Sequence, residues 1–301
     1  MSDADAFLAV VNPAAAGGRC RKLVPDALER LRAGGIKLEV VETTGPGQAT
    51  HMARDGYARG YRKFIAVGGD GTAYEIVSGL FPRRESDDSV TLAFLPLGTG
   101  NSFLRDFTDR GVEHAIEALL ARRSQPCDVL RLRHTEGVLH YINLLAMGFA
   151  ADVAALRARR FSGWGELGYQ SSIFISLARL RRRPFPLRVD GDEIDRRPCL
   201  FLTFNNSKFT GGTMMIAPKA DVNDGLIEYV RWGPIGRLGL IRNLPTLYDG
   251  THIQHPMAER RAAKRIDFYL NAPVDLMIDG EVLTLQCQTL DVLPSALQVV
   301  V

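Results

Sequence analysis

The chain has 301 residues, 46% of them hydrophobic, enough to bury a sizeable core and to build two domains. Its 37 basic and 34 acidic side chains leave a net charge of +3, which argues against a dedicated nucleic-acid binder. Cys20, Cys127, Cys199 and Cys287 are widely spaced and lack a CxxC pair, so neither a zinc site nor a disulfide framework is expected.

The start, Met1-Ser2-Asp3-Ala4-Asp5, is acidic, and the apolar run Phe7 to Val11 is stopped by Asn12-Pro13, so it does not read as a signal peptide. No apolar stretch reaches the length of a membrane span, which leaves a cytoplasmic protein that at most visits the bilayer. Phe7–Val11 predicts a first strand, followed by a helix near Lys22–Arg32 that Gly34-Gly35 closes. A strand over Lys37–Val41, a helix near Ala49–Arg59 and a strand over Lys63–Val67 come next. A helical pattern through Glu75, Ile76, Val77 and Leu80 follows, then a strand over Thr91–Leu95, a helix carrying Phe103, Leu104 and Phe107, and another around Val112–Arg122. Strand and helix alternate in α/β order.

After Cys127 the texture changes. Asp128–Arg133, Leu139–Leu145, Leu187–Val189, Cys199–Asn205, Gly225–Arg231, Arg265–Leu270, Asp275–Ile278 and Val282–Gln286 read as strands separated by turns, which suggests a sandwich. The expected organisation is an α/β domain over 1–127 and a β-sandwich over 128–289.

Gly68-Gly69-Asp70-Gly71-Thr72 and Gly98-Thr99-Gly100-Asn101 each stand where a buried strand hands over to a predicted helix. Glycine lets the backbone approach phosphate oxygens closely, and a helix N-terminus presents free N–H groups and a positive dipole end. One such loop would mark little more than a tight turn, whereas two can hold one polyphosphate. Asp70 is a poor neighbour for bare phosphate. Mg²⁺ binds through one or two carboxylates plus substrate phosphates, so Asp70 reads as a metal–nucleotide contact, or more plainly as a cap on the next helix.

Further along, Asp279-Gly280-Glu281 would put two carboxylates on one face of an extended strand, unless Asp-Gly makes a β-turn. The acidic run Asp221-Val222-Asn223-Asp224-Gly225-Leu226 reads as a hairpin turn or as a set of oxygen ligands for a hard cation. His252 and His255 form an HxxH pair without a recognisable third ligand and are assigned to packing or turn contacts. Leu156 to Arg188 holds eight arginines against Glu166 alone, interleaved with Phe161, Trp164, Leu167, Ile173, Phe174, Ile175, Leu177 and Leu180. Such an edge suits an anionic membrane, or is a core helix with a solvated Arg-rich end; nucleic acid is the poorer partner.

The two glycine motifs, Asn12-Pro13 after a strand, Ala217-Pro218 ahead of Asp224-Gly225-Leu226, and Asp279-Gly280-Glu281 together resemble the diacylglycerol kinase catalytic-domain family. That family includes bacterial soluble lipid kinases and sphingosine kinases. The likeness runs from Val10 to about Leu290, and the ordered set is far more specific than any one motif. It implies an NAD kinase-like α/β nucleotide-binding domain, a β-sandwich domain, and a last segment, 290–301, that returns to the first domain. It implies ATP contacts at Asn12, Thr43, Gly68, Gly69, Asp70, Gly71, Thr72, Gly98, Thr99 and Asn101, with Thr44 close behind Thr43. Asp70 would carry the Mg²⁺ of MgATP, Glu281 would accept the proton with Asp279 beside it, and Asp221, Asp224 and the Leu226 carbonyl would hold a structural Mg²⁺ remote from transfer.

The sequence departs from the family's pattern at Ala16, where Gly is frequent, at Tyr74, where Asn is common, and at Ser102, where many members carry Asp. The activity implied is ATP-dependent phosphorylation of the hydroxyl of diacylglycerol or a related long-chain lipid, with peripheral contact to an anionic membrane. A sphingoid-base kinase, an NAD kinase-like enzyme and a non-catalytic lipid-binding regulatory module are the alternatives.

Overall fold

Residues covered on both faces must be apolar without alternation, and the first strand, β1 (Phe7–Val11), is buried at all five positions. It pairs in parallel with β2 (Leu38–Glu42) and β3 (Lys63–Gly68), and β3 pairs with β4 (Thr91–Pro96), giving the order β2-β1-β3-β4. The computed structural model describes residues 5–82, 89–161 and 165–301. Met1–Ala4 therefore lie outside the described residues, as do Trp164 and the side chains of Glu166, Leu167 and Ile173.

Helices α1 (Arg19–Ala33), α2 (Gln48–Ala58), α3 (Asp70–Leu80) and α4 (Val112–Leu120) cover the sheet. Successive β1 side chains point to opposite faces, and each face has its own core. Leu8 and Val10 pack with Ala53 of α2 and Ile76 of α3, while Phe7, Ala9 and Val11 pack with Leu28 and Leu31 of α1 and Ile116 of α4.

One expected helix is replaced. After the second glycine loop the chain makes only a 3₁₀ turn over Leu104–Asp106, because Phe103 and Leu104 plunge into the core and Asp106 is held from the second domain by the Lys208 N–H at 3.0 Å. The second loop thus has no helix dipole behind it.

The second half builds β5 (Ser124–His134), β6 (Gly137–Tyr141), β7 (Leu144–Gly148), α5 (Phe149–Arg160) and α6 (Gly165–Ala178). Then come β8 (Arg183–Pro184), β9 (Leu187–Val189), β10 (Pro198–Cys199), β11 (Phe201–Asn205), β12 (Phe209–Thr210), β13 (Met214–Met215) and β14 (Ile227–Trp232). Two short helices, α7 (Arg237–Asn243) and α8 (Thr246–Asp249), precede β15 (Ala258–Ala263), β16 (Arg265–Phe268), β17 (Val274–Ile278), β18 (Glu281–Leu285) and β19 (Cys287–Val300).

The sheet β15-β14-β11-β7-β17-β18 faces β5, β6, β9, β16 and β19. Leu132, Leu145, Phe204, Tyr229, Ile266, Leu276 and Leu290 from the two layers share one core. The fold is an α/β domain followed by a β-sandwich, the order the sequence implies.

Strand β19 joins the halves. It runs antiparallel to β5 and β16, breaks register between Leu293 and Leu297, and ends parallel to β4 with Gln298 opposite Thr91 and Val300 opposite Ala93. Among the described residues no helix is long and apolar enough to cross a membrane.

Candidate active site

The two glycine loops touch backbone to backbone. The Gly98 N–H donates to the Gly68 carbonyl at 2.8 Å, and a Cβ on Gly98 would lie 2.4 Å from the Gly69 Cα, so only glycine fits. Helix α3 starts at Asp70. Its Thr72 and Ala73 N–H groups fold back to the Gly69 carbonyl, which leaves those of Asp70 and Gly71 as the open donors at the helix start among the described residues. The Asp70 side chain turns away from these donors toward the second loop, accepting from the Ser102 N–H at 2.9 Å and the Phe103 N–H at 3.3 Å. Desolvation by burial raises its pKa, against those hydrogen bonds. Asp70 therefore buckles the loops together.

A cleft of about 850 Å³ opens beside this buckle. It is walled by Asn12 and the loop after β1, by Thr43 and Thr44, by Gly69, Gly71, Thr72, Gly98 and Thr99, by Arg21 and Glu75, and on the far side by Glu281. Asn12 is fixed in its own turn, accepting from the Ala14 N–H at 3.1 Å. Thr43 is buried, whereas the Thr44 hydroxyl is engaged with Gln48. Of the expected nucleotide contacts, Gly68, Asp70 and Asn101 stand behind this wall. Asn101 is in the left-handed conformation, and its side-chain amide donates to the Pro96 and Gly98 carbonyls, so it shapes the second loop from within.

The Asp279-Gly280-Glu281 segment is not extended. Asp279 and Gly280 both have positive φ, 47° and 94°, and Ile278 pairs with Glu281, so they form the two-residue turn of the β17–β18 hairpin. The two carboxylates consequently part. Asp279 is buried and accepts from the N–H groups of Ile142, Asn143 and Leu144 at 3.2, 3.2 and 2.8 Å, and this contact interrupts what reads in sequence as one strand over Leu139–Leu145. Glu281 faces the cleft, its Oε1 3.0 Å from where a Cβ on Gly71 would stand. Desolvation, then the charge of Glu75, raises its pKa above the ordinary carboxylate value.

Burial pushes Asp279 up to about 7, with Asp70 adding to the rise. A folded-state pKa above the ordinary one favours the protonated form, so this group costs stability progressively as pH climbs from about 4 to 7 and no further above it. Asp279→Asn is expected to lose about 1–3 kcal/mol at pH 5, because the wild-type carboxyl is protonated there and the amide turns an NH₂ toward one of three buried N–H groups, and less at pH 7.5, where the wild type itself is weakened by ionisation. Urea unfolding in chelator at the two pH values checks this; a gap that widens with pH would show the carboxylate ionised and stabilised by its donors.

Against this geometry stand the likenesses to known proteins. Residues 6–132 match the diacylglycerol kinase catalytic domain, and residues 143–301 match the YegS C-terminal NAD kinase beta sandwich-like domain. The chain belongs to the diacylglycerol kinase catalytic-domain family. A diacylglycerol kinase of Mycobacterium tuberculosis is 27% identical over 298 residues, spanning 97% of this chain and 93% of the relative. One of Bacillus subtilis is 26% identical over 276 residues, 90% of this chain and 88% of the relative. A crystal structure of a Bacillus anthracis diacylglycerol kinase superposes with a TM-score of 0.74 over 100% of this chain and 98% of that one, at 19% identity, a likeness of fold.

The departures from the family's pattern have visible consequences. Ala16 takes φ 53°, a left-handed conformation that glycine adopts at lower cost. Tyr74 leaves the cleft and packs into the sandwich core beside Tyr141 and Leu145, its hydroxyl pushed up to about 12 by burial and by Asp279. Ser102 lies between the domains: its hydroxyl accepts the Gly212 N–H at 2.9 Å while its own N–H holds Asp70.

The acidic turn lies elsewhere. Asp221 and Asp224 are exposed, and each accepts an N–H two residues on, from Asn223 and Leu226. The turn is pinned from below by buried Asp128, which accepts from Gly225 and Ser295 at 2.7 Å. Among the described residues no three His, Cys, Asp or Glu side chains gather as a metal cluster. His252 is buried, its two ring nitrogens against the Thr246 and Ile216 carbonyls.

Sequence reading missed Glu75, which accepts the Gly47 and Ala49 N–H groups at the start of α2 while lining the cleft. It also missed Asp106, Asp128 and the Gly211-Gly212 turn. Single acids and a glycine pair carry no spacing that marks them.

Proposed function

We propose that this chain is an ATP-dependent lipid kinase that transfers the γ-phosphoryl group to the hydroxyl of diacylglycerol or a related long-chain lipid, working from the cytoplasm at an anionic membrane surface. The observation that carries this reading is Glu281, a carboxylate of the second domain set against the glycine loops of the first across one cleft. The names of the relatives support diacylglycerol as the acceptor class.

Phosphoryl transfer needs alignment and charge stabilisation more than covalent help. The open N–H groups of Asp70 and Gly71 meet phosphate oxygens, and Gly69 and Gly98 let them come close. Asn12, Thr43 and Thr44 line the part of the cleft left for the nucleoside, and Arg21 offers a positive charge. Glu281 orients the lipid hydroxyl and takes its proton at Oε1 as the oxygen attacks. Asp279, saturated by backbone donors, holds the hairpin that aims Glu281.

A divalent cation suits the inner wall. Desolvation raises the pKa of both Asp70 and Asp279, the charge of Asp70 adds to the rise at Asp279, and no Lys or Arg pairs with either among the described residues. Asp70 keeps acceptor sites beyond its two N–H contacts, so it would hold Mg²⁺ together with phosphate oxygens. When bound, Mg²⁺ supplies charge neutralisation on the transferred group.

Asp221, Asp224 and the Leu226 carbonyl are proposed for a second, structural Mg²⁺. Desolvation raises the pKa of Asp224, and the charges of Asp221, Asp128 and Glu228 add to the rise, a field that a hard cation would relieve. Saturating Mg²⁺ is expected to stabilise the protein by about 2–3 kcal/mol at a hundredfold excess over Kd, and Asp224→Asn should remove most of that gain; a gain unchanged in the variant would eliminate this site.

The function itself is tested by measuring ADP release across a panel of diacylglycerols, sphingoid bases and NAD. Release with diacylglycerol and none with NAD is expected. Release with NAD alone would make the chain an NAD kinase, and release with nothing would favour the non-catalytic module.

A further inference from the structure

Helix α7 is apolar on both sides. Leu240 is buried in one cluster with Leu247 and Trp232, and Leu244 packs against that cluster, as do Leu177 and Leu180 at the α6 end, so the inner side is filled. On the outer side Leu238 is 83% exposed and Ile241 48%. A lone exposed Leu needs no explanation, but these two are neighbours on one helical face.

The α6 end adjoins them. Arg237 donates to the Leu177 and Ala178 carbonyls at 3.1 and 2.6 Å, and a Cβ on Gly236 would lie 3.4 Å from the Arg182 guanidinium. One helical turn back on α6, Phe174 is 69% exposed. Arg179, Arg181, Arg182 and Arg242 are exposed on the same two segments, and none makes an ion pair among the described residues. Neither 171–182 nor 234–248 contains an acidic residue.

Other arginines of the sequence-predicted edge are spoken for: Arg183 pairs with Asp152 at 2.5 Å, and Arg159 with Asp275 at 3.0 Å. The available charge has moved to the α6 end and α7.

We propose that this face docks on an anionic lipid bilayer, with Leu238, Ile241 and Phe174 entering the acyl boundary and Arg179, Arg181, Arg182 and Arg242 at the phosphate plane. The proposal rests on the reading of the chain as a lipid kinase, whose acceptor resides in such a surface. Charge selects this occupant: an apolar centre rimmed by cations and free of acids matches anionic headgroups, whereas a second copy meeting it face to face would bring like charges together.

Sedimentation with vesicles of phosphatidylcholine, with and without phosphatidylglycerol, tests it on the full chain. The wild type should bind the anionic vesicles and lose binding with salt. Arg181→Gln/Arg182→Gln/Arg242→Gln should weaken binding about fivefold per arginine, and Leu238→Ser/Ile241→Ser about tenfold per side chain with the salt dependence retained. Both variants should match the wild type in ADP release with a soluble short-chain diacylglycerol and no vesicles. If the kinase reading fails, that release vanishes in every protein while vesicle binding still reports on the face. Unchanged vesicle binding in both variants overturns the proposal, as does a wild-type dimer that Leu238→Ser/Ile241→Ser turns into a monomer with vesicle binding intact.

Discussion

Glu281→Gln is expected to lower kcat by about two to four orders of magnitude, the reach of general-base catalysis, while ATP affinity stays within about twofold. The amide keeps the size of the side chain and its place opposite Gly71, but cannot accept a proton. Binding and chemistry therefore separate in this variant: nucleotide contacts come from the first domain's loops, and the base comes from the second domain's hairpin. A parallel Glu281→Asp variant should recover part of kcat if proton acceptance is the lost step. Full kcat in Glu281→Gln would move the base elsewhere, and not to Asp279, whose two oxygens already receive three backbone N–H groups.

Asp70→Asn should cost about three orders of magnitude in kcat/KM, and unlike Glu281→Gln it should also weaken ATP binding. An amide presents one oxygen where the carboxylate presents two. Either the Ser102 or the Phe103 N–H would then face an NH₂ group, and the second glycine loop would shift from the first. A loss of about 1–3 kcal/mol in stability should accompany this, too little to unfold the chain. ATP affinity by calorimetry, kcat, and urea unfolding on the same preparation check the three parts. Near-normal turnover would remove Asp70 from both the buckle and the cation site.

The first domain was legible because parallel strands buried on both faces read as unbroken apolar runs, and Phe7–Val11 and Lys63–Gly68 are such runs. The second was harder. Ala258–Ala263, with the sequence Ala-Glu-Arg-Arg-Ala-Ala, has the composition of a helix yet pairs as β15 along all six residues of β14; tertiary pairing overrode propensity. In the same way Leu290 to Val301 read only as a returning segment, because a strand that passes from one domain to the other within a single sheet breaks register after Leu293 and so shows no single period.

At the site, glycine spacing located the two loops, but not their contact, since Gly98 meets Gly69 across a turn that no periodicity encodes. The Asp-Gly pair could be extended or turned, and the hairpin chose the turn. That choice sends Asp279 inward and Glu281 outward, a division of labour invisible to a pattern of period two.

The most direct measurement follows the label from γ-phosphate-labelled ATP after incubation with diacylglycerol and NAD together. Label extracted into the organic phase as a phosphomonoester of the lipid, at a rate that Glu281→Gln lowers by at least about a hundredfold, is the predicted result. Label recovered only as phosphorylated NAD or as inorganic phosphate would contradict it.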